Sequence, residues 1–399
     1  MSEELLLPQG FQAAGASCGI KDDPTILDLA LFVSESPASA AGVFTQNQIC
    51  GAPVKVSRER VPRESVRAVV INSGNANACT GERGIEDARR MTAIVAEQID
   101  CEEEDVVVCS TGVIGHFLPM QKIETGIPAL AADLKANADG FSNAARAMTT
   151  TDTFSKQASR HAEINGKTVR VSGACKGAAM IGPNMATMLA VVMTDAELSP
   201  SDADRMLRQS VDRSFNCISV EGHTSTSDTV LLFANGAANT GPLDVNAQET
   251  LQTMISDVCE ELAKSIVQDA EGADHLIIID VNGLMTSADA HLIAKTIAND
   301  VLVKTAITGC DPNWGRIVSC CGRTGIELVD ADITLRINGT LIYEYGAPVE
   351  YDEAALSESM RQNRDVTIEL GFPFGLESLR FWTSDLTQEY VRLNSEYTT

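Results

Sequence analysis

The chain is short of positive charge. Its 55 acidic residues outnumber 30 lysines and arginines, and the formal net charge is −25. Nucleic acid and anionic lipid both demand a basic patch, so neither is expected as a partner. No apolar run approaches the ~18 residues that cross a bilayer. The start, MSEELLLPQG, has neither a basic n-region nor a long apolar core, so no secretory leader is expected. The 11 cysteines form no CxxC pair, and only Cys320 and Cys321 are adjacent. That pattern excludes a disulfide framework and a zinc ribbon. Reduced thiols in a cytoplasmic protein are expected.

What is present is ordinary globular composition, 44% hydrophobic and 21% charged over 399 residues. That length accommodates two or three domains. Strand and helix patterns interleave, which indicates the α/β class. RAVVIN at 67–72 and 105–109 read as strands. Ile85, Ala88, Met91, Ile94, Val95 and Ile99 fall at helical spacing. Residues 1–66 show no strong helix pattern, but 27–33 and 41–45 look like strands. Asn165-Gly166 is a type I′ turn signal, which predicts a hairpin over 161–171. A helix is expected over 201–215 and a longer one over 247–270. The stretch NGAANTGPLD at 235–244 is the best candidate boundary, giving expected domains of 1–240 and 241–399.

The stretch that organises the chain is KGAAMIGPNMATMLAVVM at 176–193. A lone cation, Lys176, leads into small residues and a Gly-Pro-Asn turn signal. The apolar run that follows is a buried strand or a short buried helix. It is broken by one hydroxyl, Thr187. A core threonine bonded to backbone is the bland reading. The sharper one is a nucleophile, which needs a base beside it. A cut between Ala186 and Thr187 would free an α-amino group to serve as that base, and such an amine titrates near ~8.

Polar loops elsewhere carry candidate chemistry. The loop 73–81, SGNANACTG, can present amides and N–H groups to a ligand. Ser110-Thr111-Gly112 ends a strand, where glycine permits close backbone approach and donors can face an oxyanion. MTTTDTF at 148–154 is a cap or a polar loop. EGHTSTSDT at 221–229 is polar, and its Glu, His and Asp match no strong metal spacing. DAEG at 269–272 ends the long helix. DPNWGR at 311–316 reads as a rigid corner packed by Trp314. His116, a lone histidine, is given no role.

In their order along the chain, SGNANACTG, the Thr111-Gly112 pair, TTDT, KGAAMIGPNMATML, DAEG, DPNWGR and the tail NSEYTT closely resemble the ornithine acetyltransferase family, the glutamate N-acetyltransferases of arginine biosynthesis. The resemblance runs from about residue 72 to the end. It implies a layered αββα sandwich of the self-cleaving N-terminal-nucleophile type, with a smaller C-terminal α/β domain. It implies cleavage into 1–186 and a second fragment from Thr187, assembled as two copies of each. It assigns Thr187 as nucleophile, Thr111 and Gly112 as the oxyanion hole, and Thr150, Lys176, Glu271, Asn394 and Thr399 as substrate contacts. The expected reaction is acetyl transfer from N2-acetylornithine to glutamate, without cofactor or metal. Acetyl-CoA as a second acetyl donor stays open. The family usually has Asp-Gly-Asp where this chain has Glu221-Gly222-His223. Two alternatives remain: a hydrolase of the same architecture, such as an aminopeptidase, and an uncleaved binding protein.

Overall fold

A computed structural model of the chain describes residues 5–182 and 188–396. The 16-residue strand Leu29–Phe44 is its spine. The first half of this strand pairs with Phe11–Ala16 on one side and with Arg63–Asn75 on the other. Its second half, from Ser39 to Phe44, pairs with Thr229–Ala234 instead. The register breaks between Val33 and Ala38, and Glu35, Ser36 and Pro37 are exposed there. The two strands expected at 27–33 and 41–45 are therefore one. The polar residues between them interrupt the hydrophobic pattern but not the extended backbone.

That strand lets one sheet fold over on itself. The sheet runs Val106–Val113, Arg63–Asn75, Leu29–Phe44, Thr229–Ala234, Leu189–Thr194, Lys167–Lys176, Lys156–Ile164. Alternate side chains on a strand face opposite ways. Phe32, Ile71 and Cys109 from one half meet Ala174, Val191 and Phe233 from the other in a shared core, joined by Phe141 of helix Ala138–Met148. Behind the first half, Leu31, Val70 and Val108 pack on Met91, Ile123 and Ile127 of helices Gly81–Ile99 and Met120–Ala132. Behind the second half, Val171, Val192 and Leu232 pack with Met206 and Leu262 of helices Pro200–Asp212 and Val245–Gln268. The layers are helix, strand, strand, helix: an αββα sandwich.

The apolar run after residue 187 is a strand, Leu189–Thr194, parallel to Thr229–Ala234. It is buried on both faces, and so carries no alternation that could have identified it. The hairpin about Asn165-Gly166 forms as expected, with both residues at positive φ.

The second sheet runs Ala347–Pro348, Thr340–Glu344, Thr334–Ile337, Asp365–Gly371, Leu276–Leu284, Glu377–Ser384, Ile218–Ser219. Its last strand comes from before residue 240, and the helix Val245–Gln268, from after it, packs against the first sheet. The chain thus crosses that point in both directions. Two elements depart from the sequence reading. A nine-residue helix, Ala52–Arg60, lies within 1–66. Its apolar residues cluster at its start, with Pro53 in the first turn, and give no 3.6-residue period. Within 311–316, Asn313 accepts from the Arg316 N–H at 3.3 Å and caps the helix Trp314–Cys321. Trp314 stacks on Tyr343 at 5.1 Å, so the rigid corner is also a helix start.

The helix Val245–Gln268 seats on Gly173, where an added Cβ would stand 2.9 Å from Leu262 Cδ1. Leu262 is fully buried. Leu262→Ala is expected to remove about 2–5 kcal/mol of stability, read as a lower urea midpoint at unchanged slope.

Candidate active site

Strands Arg63–Asn75 and Val106–Val113 are parallel and end side by side. Gly112 has φ +131°, and a Cβ there would stand 2.3 Å from the Gly74 carbonyl carbon. Only glycine fits that approach. It leaves Thr111 and Gly112 on the wall of a pocket. From the loop 73–81, Ala76 also reaches that wall. The loop's asparagines serve its own shape. Asn72 accepts from Ser110 Oγ at 2.5 Å and donates to the Asn75 carbonyl at 2.8 Å. Asn75 accepts from the Asn77 N–H at 2.8 Å.

Lys176 ends its strand inside the pocket, 3% exposed. Its Nζ donates to Thr111 Oγ1 at 3.3 Å. Burial lowers its pKa from the ordinary lysine value, while the charge of Asp152 works the other way. Asp152 in turn accepts the Gly177 N–H at 2.7 Å and the Thr150 N–H at 3.0 Å. Burial opposes its charge, but Lys176 and Lys156 hold its pKa down to about 2. Lys156 Nζ lies 2.7 Å from Asp152 and 2.5 Å from Asp269, all three side chains out of solvent. Asp269 also accepts the Thr153 N–H at 3.0 Å. One buried ammonium therefore ties TTDT to DAEG. Lys21 supports the same loop by donating to the Thr149 carbonyl at 2.7 Å. Its own segment is held by Asp28, which accepts four successive N–H groups from Cys18 to Lys21.

Across the pocket stand Ser225, Thr226, Ser227, Glu271 and Asn394. Asn394 donates to Glu271 Oε2 at 3.1 Å. The tail helix Gln388–Glu396 reaches this point because Gly272, at φ +65°, lets it pack on the Glu271 turn. A Cβ on Gly272 would stand 2.5 Å from the Tyr390 nitrogen.

The structure thus brings Thr111, Gly112, Thr150, Lys176, Glu271 and Asn394 to one pocket. Ala186, Thr187 and Thr399 lie outside the described residues. His116 is exposed, and its carbonyl accepts from Asn75. Among the described residues, no group of His, Cys, Asp and Glu is arranged to hold a metal ion. The sequence reading missed Lys156, Asp152 and Asp269 as a unit. The only local signal was the four-residue spacing of Asp152 and Lys156, which is commonplace at a surface.

Fold and site belong to an acyltransferase of the α/β class. The chain belongs to the ArgJ family, whose family model matches residues 12–399. It is 46% identical over 397 residues to the arginine biosynthesis bifunctional protein ArgJ of Rhodopirellula baltica, covering 99% of this chain and 97% of that protein. It is 42% identical to the protein of that name from Lactococcus lactis, over 98% of this chain and 97% of that one. Among solved structures, the ArgJ of Bacillus halodurans is 43% identical, with a TM-score of 0.44, over 46% of this chain and 94% of that chain. The ornithine acetyltransferase of Mycobacterium tuberculosis, solved with ornithine, is 37% identical, with a TM-score of 0.41, over 45% of this chain and 94% of that one.

Lys156→Met would strand two buried carboxylates. Breaking a buried pair by removing one partner costs about 3–5 kcal/mol. Denaturant unfolding of this variant is expected to show a loss of that order.

Proposed function

We propose that the protein transfers acetyl from N2-acetyl-L-ornithine to L-glutamate through an acetyl-Thr187 intermediate. The observation that carries this reading is the meeting of Thr111, Gly112, Thr150, Lys176, Glu271 and Asn394 in one pocket. These residues come from five separate segments of sequence. Membership of the ArgJ family supports the same reaction.

The chain first cuts itself. The Thr187 hydroxyl attacks the Ala186 carbonyl, the acyl group moves from nitrogen to oxygen, and water hydrolyses the ester. Residues 1–186 and 187–399 result, with a free α-amine on Thr187. In the first half-reaction that amine takes the hydroxyl proton, and Thr187 Oγ attacks the acetyl carbon. Thr111 and Gly112 stabilise the oxyanion. The carbon–nitrogen bond breaks, the amine returns the proton, and ornithine leaves. In the second half-reaction the glutamate amine attacks the acetyl ester. N-acetylglutamate leaves and the Thr187 hydroxyl is restored.

Lys176 holds a substrate carboxylate, since a buried ammonium facing a pocket is matched best by an anion. Glu271, with Asn394, faces the ornithine side-chain ammonium, and Thr150 and Thr399 complete the contacts. No metal or tightly held cofactor takes part. The working protein is a cytoplasmic assembly of two copies of each fragment.

Intact-mass spectrometry under denaturing conditions tests the first step. Two species that fit a break between Ala186 and Thr187 are expected. Thr187→Ala is expected to give one uncut, inactive chain, and full activity in that variant would overturn the nucleophile. Loss of acetylornithine without a glutamate requirement would mean hydrolysis instead of transfer.

The pH profile tests Lys176. A lysine must be charged to hold a carboxylate, and burial lowers the pKa of this one. Substrate binding is therefore expected to weaken, as a rise in KM, at a lower pH than an ordinary lysine would dictate. Lys176→Arg, which keeps its charge, is expected to remove that alkaline rise in KM.

A further inference from the structure

The polar loop 221–228 takes no part in the chemistry proposed above, yet it touches the self-cleavage segment at both ends. Before the segment, the Ile181 N–H donates to Glu221 Oε1. The Ile181 carbonyl accepts from the N–H groups of Val220 at 2.8 Å, Glu221 at 3.3 Å and Gly222 at 3.1 Å. Gly182 lies so close to this turn that a Cβ on it would stand 2.4 Å from the Gly222 carbonyl carbon. After the segment, the Met188 N–H donates to Asp228 Oδ1 at 3.2 Å. The Met188 carbonyl accepts from Thr229 N–H at 3.1 Å. Both carboxylates keep one buried oxygen, Glu221 Oε2 and Asp228 Oδ2, without a hydrogen-bond partner among the described residues.

The loop is itself anchored. Thr45 Oγ1 donates to the Ser225 carbonyl at 2.7 Å, and Asn47 to the Thr224 carbonyl at 3.1 Å. The Gly51 N–H reaches the Thr226 carbonyl at 2.8 Å, and the Thr45 N–H the Asp228 carbonyl at 2.9 Å. At its other end, Ser219 Oγ lies 2.5 Å from Asn299 Oδ1. These are ties to other elements of the fold, so the clamp does not depend on the segment it holds.

We propose that Glu221 and Asp228 are positioning residues for self-cleavage, the two jaws of a clamp that fixes the backbone at Ile181 and at Met188 so that the bond between Ala186 and Thr187 is presented for attack. The inference rests on the self-cleavage reading. Holding the backbone on both sides of a short segment restricts the conformations open to it. Intramolecular attack gains rate from that restriction. Each jaw acts as an acceptor for one backbone N–H, and an amide oxygen can take its place.

The test follows cleavage of the newly made full chain with time, by mass spectrometry, for wild type and four variants. Glu221→Ala and Asp228→Ala each remove one acceptor and are expected to slow cleavage about tenfold, the scale of a buried N–H left without its hydrogen bond. Glu221→Gln and Asp228→Asn retain an acceptor and are expected to cleave close to the wild-type rate. That rescue separates holding the N–H from a merely structural role. Where an alanine variant yields no folded protein by thermal melting, Gly182→Ala takes its place. Its Cβ forces the Gly222 turn away, and the same slowing is expected. Wild-type cleavage rates in the alanine variants or in Gly182→Ala would overturn the clamp, as would amide variants as slow as the alanine ones. A wild-type chain that never cleaves removes the self-cleavage reading, and the clamp with it.

Discussion

Lys156 has no access to water, and its ammonium lies 2.7 Å from Asp152 and 2.5 Å from Asp269. A single buried cation between two buried anions would be costly, because desolvation of each ion must be recovered by contact. Here the carboxylates are also spent on backbone. Asp152 takes N–H groups from Thr150 and Gly177, and Asp269 takes one from Thr153. The charge cluster is thereby converted into geometry. The turn before Thr150, the residue after Lys176 and the residue two before Glu271 are referred to one point. Three walls of the pocket meet there, from segments spread over more than 100 residues of sequence.

The scaffold that carries this point depends on one strand changing partners. Leu29–Phe44 serves one half-sheet and then the other, so both halves present a face to the same core. Helices cover the outer face of each half, and Ala138–Met148 joins the shared core between them. This arrangement explains why nearly every residue of Leu189–Thr194 and Thr229–Ala234 is buried. It also brings the end of strand Lys167–Lys176 to the ends of Arg63–Asn75 and Val106–Val113, where Lys176 meets Thr111.

Much of this was legible. Amphipathic helices and the Asn165-Gly166 hairpin speak through local pattern, and they stand where the pattern puts them. The α/β class follows from their alternation. The pocket residues were legible for another reason: Thr111-Gly112, Thr150, Lys176, Glu271 and Asn394 sit in motifs shared with a known family. What stayed hidden depends on contacts between distant segments. Nothing local marks Lys156 as buried, since a lysine four residues after an aspartate is usually solvated. Nothing in EGHTSTSDT says that its two acids take hold of Ile181 and Met188. The helix Ala52–Arg60 was missed because its burial comes from the neighbouring sheet and helix, not from an amphipathic period.

A net charge of −25 argues against a receptor for carboxylate-bearing substrates, and screening resolves the difficulty. At physiological ionic strength the Debye length is about 8 Å, so the distant acidic surface is largely invisible inside the pocket. There the nearby cations decide. Lys176 faces the pocket, and Lys21 lies behind the Thr149 turn, its pKa lowered to about 8 chiefly by burial. Left alone, two buried lysines so close would tend to shed a proton, since each opposes the other's charge. Asp152 counters this. With its pKa held near 2, it remains an anion through the neutral range and favours the charged form of the lysines around it. The acid that holds the backbone of the site is thus also the acid that keeps its cation charged, and Lys176 and Lys156 together keep that acid ionised.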